Sequence, residues 1–129
     1  MISATMTARL VALVVMIGAV LGPAVHVHAQ DKGTATSPPL RVEWELSVPH
    51  GGYRNMCGRV YNSHHLTARR VGLLAEGLDG NGKVVSSRYK EVLGDVPASG
   101  YSFFCVPLEA GAATYRVSIR GVDWGFAGQ

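Results

Sequence analysis

Leu40-Arg41-Val42-Glu43-Trp44-Glu45-Leu46-Ser47-Val48 is the stretch that decides the fold of this 129-residue chain. Leu40, Val42, Trp44, Leu46 and Val48 alternate with Arg41, Glu43, Glu45 and Ser47. Period two sustained over this length places the first group on one face of a strand and the second in water. A helix would scatter the same charges around its whole circumference. Pro49-His50-Gly51-Gly52 then ends the segment with turn-forming residues.

The alternation recurs downstream. Asn55–Asn62 is expected as a strand with Met56, Gly58 and Val60 on one face and Cys57, Arg59 and Tyr61 on the other. Val71, Leu73 and Ala75 begin a third strand that runs to Leu78. Asp79-Gly80-Asn81-Gly82 combines Asp-Gly with Asn-Gly, the pairs that supply the positive φ of hairpin turns, so the chain reverses there into Lys83–Lys90. A loop over Gly94–Gly100 leads to Tyr101–Leu108, where Phe104, Val106 and Leu108 share a face. In the last strand Tyr115, Val117 and Ile119 oppose Arg116, Ser118 and Arg120. No segment carries helical periodicity. Short strands with turn chemistry between them predict an all-β, antiparallel sandwich, a single domain over residues 40–126.

The start of the chain bears on where that domain works. Met1–Arg9 contains one base and no acid, and an almost unbroken aliphatic run follows to Val25, interrupted by Gly22 and Pro23. The run is shorter than the roughly 20 residues that span hydrocarbon, which favours a cleaved leader over a retained anchor. Val27-His28-Ala29 suits signal peptidase, so residues 1–29 are expected as a signal peptide, with no transmembrane segment after cleavage and a periplasmic or secreted product. Residues 30–39, polar and rich in Pro, Gly, Ser and Thr, are expected as a flexible linker. Twelve bases against nine acids make a mild positive balance, and with export this argues against a nucleic-acid partner.

The order Met56-Cys57-Gly58-Arg59-Val60-Tyr61-Asn62, then Val71 through Val85, then Phe103-Phe104-Cys105-Val106, then Tyr115-Arg116-Val117-Ser118-Ile119 resembles the FxLYD-type and related immunoglobulin-like modules of prokaryotic envelope proteins. The matching positions are Gly58, Val60, Asn62, Asp79, Gly82, Val84 and Val85, within about residues 56–120. Ala75, Gly77 and Leu78 stand where that family's Phe, Leu and Tyr would, and Asp79 agrees. The resemblance implies an immunoglobulin-like sandwich of six to seven strands, exported and without a common catalytic site.

Cys57 and Cys105 are the only cysteines. Strand parity turns both away from the core, and in immunoglobulin-like topology their strands would be sheet neighbours. A disulfide is therefore expected in an oxidising compartment; two separate small apolar side chains are the alternative. His50, His64 and His65 remain after cleavage, but an extended backbone would point adjacent His64 and His65 to opposite sides. No metal-ligand spacing is present, and no metal or other cofactor is expected. A Gly-x-Ser-x-Gly elbow is absent, and Glu43 and Glu45 on one wet strand face are ordinary solubilising residues, so no catalytic residue is assigned. Asp79–Gly82 lacks the later oxygens of a calcium loop.

Two readings of the tail stay open. Unbroken alternation after Ile119 puts Val122, Trp124 and Phe126 on the solvent side with Arg116 and Arg120. With Leu74 and Leu78 they would form an apolar partner surface rimmed by arginine. A bulge at Gly121 would instead return Val122 and Trp124 to the core. The expected function is a non-enzymatic exported module for protein–protein binding or spacing, its partner an envelope or extracellular protein. The alternative is a small ligand-binding module for carbohydrate or a metal ion, using Trp124, Tyr101 or the histidines.

Overall fold

A computed structural model describes residues 31–125. The leader expected over 1–29, and Phe126, lie outside the described residues. Within them the chain forms seven strands and no helix: β1 Lys32–Ser37, β2 Leu40–Leu46, β3 Tyr53–Asn62, β4 Ala68–Leu78, β5 Val84–Glu91, β6 Tyr101–Glu109 and β7 Thr114–Trp124. They make two antiparallel sheets, β1-β2-β3-β6 and β5-β4-β7, so the all-β expectation holds. No helix among the described residues is long and apolar enough to cross a membrane.

The alternation in β2 does what its period requires. Leu40, Val42, Trp44 and Leu46 are buried, while Arg41 and Glu45 are exposed. The strand ends at Leu46, and Val48 stands 79% exposed. Met56 and Val60 of β3, Val71, Leu73 and Ala75 of β4, Phe104, Val106 and Leu108 of β6, and Tyr115 and Val117 of β7 join the same core. The turn after Leu78 is the expected one: Asp79 Oδ1 accepts from the backbone N–H groups of Asn81 (2.8 Å) and Lys83 (2.9 Å), and Gly82 has φ of +82°. The carboxylate of Asp79 is thus a turn clamp.

Lys32–Ser37 corrects the expectation of a flexible linker over 30–39. The segment pairs with β2 along its whole length, from Lys32↔Glu45 to Ser37↔Leu40. Its inward positions are Gly33 and Ala35, too small to register as an apolar alternation. Their smallness has a reason: a Cβ on Gly33 would lie 2.6 Å from Trp44 Cζ2, so the indole of Trp44 fills the space that a side chain would take.

At the tail the second of the two open readings, the bulge, holds. Gly72 pairs with Gly121 but Leu73 with Ile119, leaving Arg120 as an additional residue on β7. A further shift between Arg69 and Gly72 adds one on β4, where Arg70 adopts φ of +52°. These bulges reset the alternation, and Val122 and Trp124 pack against the core.

Two buried polar side chains fix the ends of the sandwich. Asn62 Nδ2 donates to the Leu66 carbonyl at 2.8 Å and to those of Val96 and Pro97 at 3.3 Å, while its Oδ1 accepts the His64 N–H at 2.9 Å. Tyr115, 2% exposed, donates its hydroxyl to the Glu109 carbonyl at 3.0 Å and accepts the Ala112 N–H at 3.3 Å, closing the β6–β7 corner.

Candidate functional site

The register of the larger sheet lines its outward side chains into three rungs that cross all four strands. Lys32, Glu45, Cys57 and Cys105 form the first; Thr34, Glu43, Arg59 and Phe103 the second; Thr36, Arg41, Tyr61 and Tyr101 the third. Each rung is the outward complement of the buried positions between, because successive residues of a strand face opposite ways.

The first rung contains the disulfide. Cys57 and Cys105 are direct partners across β3 and β6, with Cα atoms 4.1 Å apart, and the bond lies on the outer face as strand parity implied. The bond is consistent with an oxidising extracellular or periplasmic location.

The second and third rungs interleave guanidinium and aromatic groups. Arg41 lies 4.4 Å over the Tyr61 ring and pairs with Glu43. Arg59 lies 4.8 Å from the centre of the Tyr101 ring and 5.1 Å from that of Phe103. Tyr101 meets Tyr61 at 5.7 Å and Phe103 edge-on at 5.4 Å. Among the described residues no carboxylate forms a salt bridge with Arg59, whose one side-chain hydrogen bond is to the Tyr61 hydroxyl at 3.5 Å. That contact raises the Arg59 pKa above its already high ordinary value, helped by nearby Tyr101 and Glu43. The group carries a permanent charge, held within cation–π distance of two rings with most of its N–H donors unengaged. Phe103 is 63% exposed and Tyr101 44%.

Between the first two rungs runs an open trough of about 1040 Å³. Its floor includes Gly33, Trp44, Gly58 and Phe104, and Gly58 lets the Glu43–Trp44 backbone approach β3 closely. Glu43 and Glu45 lie at the β2 end, while Arg59, Phe103, Lys90 and Leu93 lie at the β6 end.

The described residues of the expected partner surface on the other sheet stand in different surroundings, and Phe126 lies outside them. Leu74 and Leu78 are half-buried, and Arg116 is engaged by the buried Glu76 through its Nε at 2.8 Å. Arg120 is exposed and donates to Ser118 Oγ. Trp124 is partly buried and packs against His64, ring centres 4.9 Å apart. The histidines also depart from expectation: the loop after Asn62 is not extended, so His64 and His65 stack at 4.3 Å. His64 Nδ1 accepts the Leu66 N–H at 2.9 Å, which gives it a structural task. No group of three or more His, Cys, Asp or Glu among the described residues could hold a metal ion.

The Arg59–Phe103 array was overlooked in the sequence although its signal was present. Once Cys57 and Cys105 are both turned outward, parity turns Arg59, Tyr61, Tyr101 and Phe103 outward beside them. No protein-family model matches the chain, and neither a curated protein nor a solved structure matches it.

Proposed function

We propose that this chain is an exported, non-enzymatic, immunoglobulin-like module that docks a protein of the envelope or the extracellular space through the outer face of β1-β2-β3-β6. The observation that carries this reading is the exposed array of Arg59, Tyr61, Tyr101 and Phe103. Arginine and aromatic residues dominate the energetics of protein interfaces, and here they form one contiguous, ordered patch.

The immunoglobulin-like part of the reading draws support from two features. With β2, β3 and β6 taken as strands A, B and E, and β5, β4 and β7 as C′, C and F, the sheet orders are A-B-E and C′-C-F. Tyr115, at the start of β7 and bonded back to Glu109, occupies the place of the tyrosine corner between strands E and F. Export draws support from the N-terminal leader pattern and from the disulfide.

Photo-cross-linking in the native compartment tests the proposal. A photoreactive residue at Thr34, on the second rung, is expected to give a discrete protein adduct that disappears with Arg59→Ala. The same residue at Ser87, on the other sheet, is expected to give none. Equal adducts from both positions, or none from Thr34, overturn the docking face. Edman sequencing of the mature product checks the leader, with Gln30 expected first.

A further inference from the structure

We infer that the free edge of β6 takes up an extended acidic segment of the partner protein as a fifth strand of the larger sheet. The inference rests on the docking reading above and specifies its chemistry.

Three observations carry it. First, β6 is the last strand of its sheet, and its hydrogen-bonding parity leaves donors outward. Asn62 donates to the Gly100 carbonyl at 2.8 Å, so alternation commits Ser102, Phe104 and Val106 to β3 and leaves the N–H groups of Phe103 and Cys105 facing away from it. Among the described residues neither of these N–H groups has another partner. Pro107 shares their parity and has no N–H, which bounds the usable edge to Tyr101–Cys105.

Second, the side chains beside that edge select for charge. An added strand would lie about 4.8 Å from β6 and extend the rungs, placing one outward side chain opposite Phe103 and others two residues along. Arg59 leans over Phe103 toward this position with most of its donors unengaged, and Lys90 lines the same end of the trough. A carboxylate on the added strand can bond bidentately to the Arg59 guanidinium. Third, Phe103 and Leu93, the latter 91% exposed, supply apolar contact on that same face for the aliphatic stem of the acidic side chain. Strand addition of this kind draws affinity from main-chain bonds and selectivity from alternate side chains.

Of the other edges, β5 carries Arg88 and Lys90 but no aromatic rung beside its free side. The ring of its Tyr89 is folded over Gly72 of β4.

The test uses synthetic peptides of about nine residues, the length of an ordinary strand, with Glu alternating with Val or Phe. Controls replace Glu by Lys, or place Pro at alternate positions. Saturable protection of the Phe103 and Cys105 amides from hydrogen exchange by the acidic peptide supports the inference, as does loss of that protection with either control. Arg59→Gln, at an exposed position, is expected to keep the melting temperature and weaken binding about tenfold or more. Protection centred on Val84–Glu91, equal binding of the Lys peptide, or no protection at Phe103 and Cys105 overturns it. Concentration-dependent protection without peptide overturns it in favour of a second copy of the chain. Oligouronate that shifts Arg59 without protecting the amides overturns it in favour of a glycan. A Thr34 cross-link to the native partner with the β6 amides unprotected overturns strand addition alone, whereas absence of that cross-link overturns the docking face itself.

Discussion

Removing the Cys57–Cys105 bond is the perturbation whose size follows most directly from the structure. The two residues are 48 apart in sequence, and the loss of loop-closure entropy from the unfolded chain corresponds to about 4 kcal/mol. The folded side contributes little to offset this. Both sulfurs lie on the outer face, Cys105 exposed and Cys57 half-buried, so Cys57→Ala with Cys105→Ala opens no core cavity. A domain of about 100 residues is stable by about 5–15 kcal/mol, so the bond accounts for a quarter to most of the total. We expect the double variant to lose about 2–4 kcal/mol, corresponding to roughly 10–30 °C in melting temperature. The assay is urea unfolding of three samples: oxidised wild type, wild type in dithiothreitol, and the double alanine variant. The two uncrosslinked samples are expected to coincide, to keep the far-UV spectrum of the oxidised protein, and to show a steeper dependence on urea, because their unfolded chains expose more surface. A double variant within about 1 kcal/mol of the oxidised protein would refute the entropic account. Reduced wild type falling well below the double variant would place the effect in the folded state instead.

Other consequences are local. Tyr115→Phe keeps the buried ring but deprives the Glu109 carbonyl and the Ala112 N–H of their partner; a loss of about 1–3 kcal/mol is expected, with faster hydrogen exchange at Ala112. Gly33→Val drives a side chain into the Trp44 indole and is expected to cost about 1–3 kcal/mol, read by thermal melting together with a shift in tryptophan emission. Trp124→Ala and truncation after Arg120 both strip cover from the core; a drop in stability is expected, and an unchanged melting temperature would restore the tail as a free surface.

The elements legible in advance were those whose inward positions are large and apolar. β2, β3, β6 and the first half of β7 each bury an alternating set, and the sense of the Cys57 and Cys105 side chains followed from the same parity. β1 was not legible, because its inward residues are Gly33 and Ala35 and the apolar volume against them comes from Trp44 on the neighbouring strand. The end of β7 was ambiguous for a related reason. Alternation predicts a face only while pairing stays in register, and the bulges at Arg70 and Arg120 break it. The candidate site was half legible: every residue of the array has outward parity, but that alone does not say which of four strands stand side by side.

Composition and period two, read from the chain by itself, determined an all-β body with an inner apolar set and an outward cysteine pair, because a strand's side chains alternate whatever their neighbours are. Strand order, register and bulges belong to tertiary structure, since they depend on which backbone groups meet across the sheets. That pairing brought Arg59 over Tyr101 and Phe103, left the β6 edge unpaired, and packed Val122 and Trp124 against the core.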